Sequence, residues 1–236
     1  MTIVLVFDLY GTLLSAESIA RQLGVHFGEA KGTSIAAAWR RYQLEYTWRL
    51  NSMGKYDSFS NVTKNSLRHA LAEHKVELNG DSISKLMEAY DFLSTFSDVP
   101  PALSRVAASP DITAVVFSNG TPSMINNSVL RSQDLSPHAG VFKDIISIDP
   151  VQKFKPTPDT YWYLADKVGK QRSEMEDMWL ISGNPFDVMG AMNVGMKAAW
   201  VDRAGLGWMD AMNGDTSPTI VARNLDELIQ KIIEGR

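Results

Sequence analysis

The chain has 236 residues, 44% of them hydrophobic, which suits one large domain, or a core with a smaller insert, at about 150 residues per domain. A formal net charge of −4 offers nothing to nucleic acid or an anionic membrane surface, and no run approaches the ~18 apolar residues of a spanning helix. There is no cysteine, which excludes disulfides, thiolate metal sites and a cysteine nucleophile together.

The first element is an apolar run, Ile3 to Phe7, that ends at Asp8 and the turn Leu9-Tyr10-Gly11-Thr12-Leu13. A carboxylate at the carboxyl end of a buried strand, before a glycine turn, sits where open α/β sheets bind ligands. No basic n-region or cleavage site precedes it, so the expected location is the cytoplasm. Four helical patterns follow without a convincing strand: Ser18–Phe27, Ser34–Asn51, Ser60–His74 and Ser82–Phe96. Further strand-like runs are Ile112–Phe117, Ile145–Ile148, Met178–Ser182 and Ala198–Val201, short and bounded by Pro, Gly, Asn or Asp. Gly205–Pro218 reads as a loop and Leu225–Ile233 as a closing amphipathic helix.

The alternation predicts an α/β fold, a Rossmann-like parallel sheet with a helical cap domain inserted after the first strand. The core domain takes residues 1–14 and 98–236 and the cap takes residues 15–97. The four histidines, His26, His69, His74 and His138, have no zinc-ligand spacing and read as surface or packing residues.

Four loops follow strands and converge on one sheet edge. Besides Asp8 they are Ser118-Asn119-Gly120-Thr121-Pro122, Asp149 to Pro158 with Lys155-Pro156, and Ser182-Gly183-Asn184-Pro185-Phe186-Asp187. Three lead into helices with proline at the first position, and each helix start aims N–H groups at the same crevice. Lys155 is the natural partner for Asp8, held off the helix by Pro156. Tyr161 lies one turn into the following helix. Asp187 stands at the third helical position, where a helix-capping role competes with a role in the site.

These loops, in this order, resemble the haloacid dehalogenase superfamily. Its phosphatases carry Asp-x-Asp in the first loop and an acidic pair for Mg²⁺ in the fourth. Here Tyr10 stands at the second acid, and the fourth loop has only Asp187. The chain is more similar to the L-2-haloacid dehalogenase branch. The likeness runs through residues 7–13, Trp39-Arg40 with Gln43 to Trp48, Phe117 to Gly120, and Asp149 to Gln152. It continues through Lys155-Pro156, Tyr161, and Ser182-x-Asn184-x-x-Asp187.

The resemblance implies a hydrolase that converts (S)-2-haloacids to (R)-2-hydroxyacids with inversion, through an ester on Asp8. It implies no metal and no cofactor. The implied catalytic set is Asp8, Thr12, Arg40, Ser118, Lys155, Tyr161, Ser182, Asn184 and Asp187. The implied substrate contacts are Leu9, Tyr10, Arg40, Leu44, Phe59, Ser118, Asn119 and Phe186. Arg40 takes the halide, Lys155 keeps Asp8 ionised, and Asp187 activates water. The partner is a small 2-halocarboxylate, and the branch tends to form homodimers, for which Trp48 is available. Two positions depart from the branch: Gly183 replaces a common Ser, expected to loosen a hydrogen bond, and Phe186 replaces a common Trp. A Mg²⁺-dependent phosphatase and a non-catalytic binding protein on the same scaffold are the alternatives.

Overall fold

The computed structural model describes residues 3–212, 214 and 216–235. Its strands are β1 (Ile3–Phe7), β2 (Ile112–Ser118), β3 (Phe142–Ser147), β4 (Met178–Ser182), β5 (Lys197–Val201) and β6 (Ile220–Ala222). They form one sheet in the order β3-β2-β1-β4-β5-β6, parallel throughout. The order reverses between β1 and β4, and the crevice at such a switch point is where ligands bind in open α/β sheets.

The interior strands β1 and β4 are almost wholly buried, which is why they read as continuous apolar runs. β3 starts three residues earlier than expected, at Phe142. Lys143 and Asp144 are exposed on this edge strand, so its first half carries no apolar run. β6 is three residues long at the opposite edge and falls below any periodic signal. Within the expected loop Gly205–Pro218, Asn213 and Asp215 lie outside the described residues, as do Met1, Thr2 and Arg236 at the ends of the core.

Between β1 and β2 come α1 (Glu17–Phe27), α2 (Glu29–Ser52), α3 (Phe59–Glu73), α4 (Gly80–Tyr90) and α5 (Val99–Ala107). Ser58 and Asn79 cap α3 and α4 by accepting the backbone N–H groups of Asn61 and Ser82. α4 stops at Tyr90, short of the expected Phe96. The next residues turn to meet the outgoing chain: Ser15 N–H donates to Ser94 O at 2.8 Å, and Phe96 N–H to Leu13 O at 3.2 Å. The two connections of the helical insert are thus hydrogen-bonded to each other. α5 opens with Pro100 and Pro101 in its first turn, where proline costs no hydrogen bond.

The remaining helices are α6 (Pro122–Asn126), α7 (Pro158–Lys167), α8 (Pro185–Asn193) and α9 (Leu225–Glu234). α6, α7 and α8 each begin with the expected proline. α9 packs its apolar face through Leu225, Leu228, Ile229 and Ile232, all buried. Among the described residues no helix is long and apolar enough to cross a membrane.

Candidate active site

The site lies at the carboxyl ends of β1, β2 and β4. β1 and β4 are in register to Phe7↔Ile181, and Asp8 N–H adds one more bond, to Ile181 O at 3.1 Å. This fixes the Asp8 backbone as an extension of the sheet. Gly11 then turns the chain at φ +84°, a conformation that side-chain-bearing residues rarely adopt.

Asp8 is 6% exposed, Lys155 1% and Asp187 0%. Lys155 Nζ donates to Asp8 Oδ1 at 3.0 Å, Asp187 Oδ2 at 2.7 Å and Phe117 O at 3.0 Å. Its three hydrogens are therefore all placed, and it rests 4.5 Å from the Phe117 ring centre. The other Asp8 oxygen, Oδ2, accepts from the Thr12 hydroxyl at 2.6 Å, the Asn184 amide at 2.7 Å and the Ser182 hydroxyl at 3.2 Å. Tyr161 donates to Asp187 Oδ1 at 2.6 Å.

Burial by itself would raise the Asp8 carboxyl. The Lys155 charge and the hydrogen bonds from Thr12 and Lys155 outweigh it and hold Asp8 below its ordinary value. For Asp187 burial wins: its carboxyl is pushed up to about 6, with Lys155 opposing and the Asp8 charge adding. Burial would lower Lys155, but Asp187 and Asp8 together raise it. Burial, and then the Asp187 charge, raises the Tyr161 hydroxyl well above its usual value, so it stays a donor. Two carboxylates thus share one ammonium, with pKa values driven apart.

Asp187 does not cap its helix. Both its carboxylate oxygens face Lys155 and Tyr161. Asn184 also forgoes side-chain capping at the start of α8. Its amide nitrogen donates to Asp8 Oδ2 and to Tyr10 O, and its amide oxygen accepts from Arg40 Nη2 at 3.2 Å. Arg40, on α2, also donates to Tyr10 O at 3.2 Å and Gln43 Oε1 at 2.7 Å. The insert therefore reaches the loop that follows Asp8 through one guanidinium.

Gly183 does not loosen the fourth loop. Its N–H donates to Thr12 Oγ1 at 2.9 Å, and that hydroxyl donates onward to Asp8. A Cβ at position 183 would lie 2.5 Å from Gly11 O, so glycine allows the two turns to approach this closely.

The other expected residues fall into two groups. Tyr10 stacks on Phe59 and meets Tyr90 at a tilt, with ring centres 5.7 and 5.4 Å away, making a buried aromatic wall. Leu9 is fully buried beside it in sequence and caps the turn through its carbonyl. Asn119 accepts the Lys155 backbone N–H at 3.0 Å, and Ser118 accepts Gly120 N–H at 3.1 Å. Leu44 is half-buried one turn beyond Arg40. Phe186 is farther out: it meets Trp48 edge-on, ring centres 5.5 Å apart, beside a seam cavity of about 470 Å³.

Three contributors escaped the sequence reading. Gln43 is buried and holds Arg40. Arg203 donates to Thr12 O at 2.8 Å while paired with Asp98. Asn51 donates to Phe154 O and accepts from Phe154 N–H, clamping α2 to the loop that carries Lys155. Gln43 and Asn51 lie on α2, away from the strand-end loops, whereas Arg203 stands just beyond the end of β5. Among the described residues no group of three or more acidic, histidine or cysteine side chains is arranged to hold a metal ion. The space between Asp8 and Asp187 is filled by the Lys155 ammonium.

A buried aspartate at the end of β1, paired with a lysine from a later loop, on this sheet order and under a helical insert, defines a hydrolase of the α/β class with an aspartate centre. The chain belongs to the haloacid dehalogenase-like hydrolase family, whose model matches residues 4–195. It is 33% identical to an (S)-2-haloacid dehalogenase of Pseudomonas fluorescens, over 98% of this chain and 96% of that one. The structure of L-2-haloacid dehalogenase from Xanthobacter autotrophicus is similar at TM-score 0.85 and 27% identity, covering 99% of each chain. The same enzyme with chloropropionic acid covalently bound matches at TM-score 0.84.

Lys155→Met removes the ammonium and leaves two carboxylates buried side by side. The expected loss is about 3–5 kcal/mol at neutral pH, read from denaturant unfolding. One carboxyl then holds a proton in the folded state that it lacks when unfolded, so stability recovers as pH falls towards 5. A variant as stable as the parent at both pH values would contradict the pairing.

Proposed function

We propose that the protein is a hydrolytic (S)-2-haloacid dehalogenase with Asp8 as nucleophile, acting without a metal. The observation that carries this reading is the Lys155 ammonium lodged between Asp8 and Asp187, at 3.0 and 2.7 Å. Lys155 offsets the charge of the buried carboxylates; a haloacid adds one negative charge, which the N–H groups at the helix starts with Ser118 and Asn119 can meet. A phosphate monoester brings about two negative charges beside the carboxylate nucleophile and calls for Mg²⁺.

The two oxygens of Asp8 divide the work. Oδ1 accepts only from Lys155 among the described residues, so it keeps a lone pair for attack. It forms a bond to C2 as the C2–halogen bond breaks, and the electron pair leaves with the halide. In-line displacement inverts C2. Oδ2 becomes the ester carbonyl oxygen, still facing Thr12, Ser182 and Asn184. Those three donors meet the negative charge that develops there when water attacks the carboxyl carbon. Asp187, held by Tyr161 and Lys155, takes the proton of that water. The bond between the carboxyl carbon and Oδ1 then breaks, Oδ1 leaves in the hydroxyacid with that proton, and the Asp8 carboxylate is restored with the water oxygen.

Arg40 meets the departing halide. Ser118 and Asn119, at the start of the second loop, receive the substrate carboxylate. Tyr10, Phe59, Leu9 and Leu44 enclose its alkyl group, and Phe186 guards the seam with Trp48. In this reading residues 15–97 act as a cap domain over the core. The enzyme is read as a cytoplasmic homodimer: the chain has no cysteine, and the Trp48 indole is exposed.

Incubation with L-2-chloropropionate in EDTA is expected to release halide and D-lactate. Phosphate release that needs Mg²⁺, or no release of halide at all, would contradict the reading. In a single turnover in ¹⁸O-water the label is expected in Asp8 and not in the hydroxyacid; label in the first-turnover product would rule out the ester.

The pH dependence follows from Asp187, which must be ionised to accept a proton. Its carboxyl sits at about 6 in the free site, raised by burial and then by the Asp8 charge. Esterifying Asp8 removes that like charge, so the acid limb of ester hydrolysis is expected below about 6. Hydrolysis is present above it and lost beneath it. A rate that stays level from pH 7 down to 3 would exclude Asp187 as the base.

A further inference from the structure

Gln43 is fully buried on α2, one turn from Arg40. Its amide has a single workable orientation. Thr63 Oγ1 donates to Phe59 O at 2.7 Å, so its hydrogen is committed and it offers only lone pairs to Gln43. Gln43 Nε2 therefore donates to Thr63 Oγ1, at 2.7 Å. Oε1 must then point the other way, where it accepts from Arg40 Nη1 at 2.7 Å and Tyr90 Oη at 3.0 Å.

The acceptors around Arg40 have one property in common. Gln43 Oε1, Tyr10 O and Asn184 Oδ1 are all neutral. Among the described residues no carboxylate forms an ion pair with this half-buried guanidinium, although its charge is felt at Asp8. A cation aimed by neutral dipoles keeps its charge for an incoming anion. A glutamate of the same shape at position 43 would aim it equally well but neutralise it. Its second oxygen would also face the lone pairs of Thr63.

We propose that Gln43 is a positioning residue for dehalogenation, which aims Arg40 at the departing halogen and, by being neutral, leaves the guanidinium charge to stabilise it. This rests on the dehalogenase reading above. The consequence is leaving-group selectivity. Chloride departs less readily than bromide and depends more on charge stabilisation in the transition state, so weakening Arg40 penalises chloride more.

The test separates the two half-reactions. Alkylation of Asp8 is timed by halide release in a single turnover with 2-chloropropionate and with 2-bromopropionate, and ester hydrolysis is timed separately. In Gln43→Glu the alkylation rate with the chloro acid is expected to fall about 10- to 100-fold, in the range usual for lost outer-sphere support. The bromo acid loses less, so the bromo-to-chloro ratio widens. Inhibition by added bromide weakens, while ester hydrolysis, in which no halide takes part, stays near the parent rate. Thr63→Val keeps the side-chain shape and removes the acceptor that orients Gln43, and the ratio is expected to widen in the same direction. Equal losses in both half-reactions with an unchanged ratio, in either variant that folds, would overturn the proposal and mark Gln43 as a packing residue. Absence of halide release from the parent enzyme with both acids would instead overturn the dehalogenase reading on which it rests.

Discussion

One ammonium shared between two buried carboxylates is the interaction on which the site depends. Asp8 and Lys155 come from two separate loops and Asp187 from the first turn of α8, and none is tolerable in the interior without the others. Their sharing is unequal. Asp8 adds hydrogen bonds from Thr12, Ser182 and Asn184, which favour its charged form; Asp187 is more deeply buried and has fewer such donors. Two residues of one type are thereby set to different basicities, which suits the two tasks proposed for them, nucleophile and proton acceptor.

The sheet and the insert divide the remaining work. The parallel order places the ends of β1 and β4 side by side, and Asp8 N–H continues their ladder, so the Asp8 backbone is held as firmly as a strand. The insert supplies charge and access. Its α2 reaches the core at Arg40 near its middle and at Asn51 near its end, where Asn51 is bonded to the loop that carries Lys155. The positions of the insert and of the lysine loop are coupled by direct hydrogen bonds.

Much of this was legible in the chain. Asp8 and Lys155 stand in strand-end loops and Asp187 at the start of the helix after one; the apolar runs and prolines around them are local signals, and the sheet brings them together as the pattern implies. The all-helical insert was visible because four helical periods follow one another without a strand. Other features depend on tertiary contact and leave no local trace. Gln43 and Asn51 are polar residues on a helix, which in sequence read as solvent-facing. The end of α4 at Tyr90 is set by pairing of residues 94–96 with Leu13 and Ser15, far away in the chain. Gly183 looked like a lost hydrogen-bonding group and is a point of close approach to Gly11. β6 and the first half of β3 lie at sheet edges, where a buried run is not required.

The most direct test of the shared ammonium is the ionisation of the two carboxyls themselves. Carbon-13 NMR of aspartate-labelled protein, with Asp8→Asn and Asp187→Asn used to assign the two signals, follows each through pH 3–8. The account predicts that Asp187 titrates near 6 while Asp8 stays ionised to below its ordinary 3.8. An Asp8 that takes up its proton at or above the pH at which Asp187 does so would contradict it.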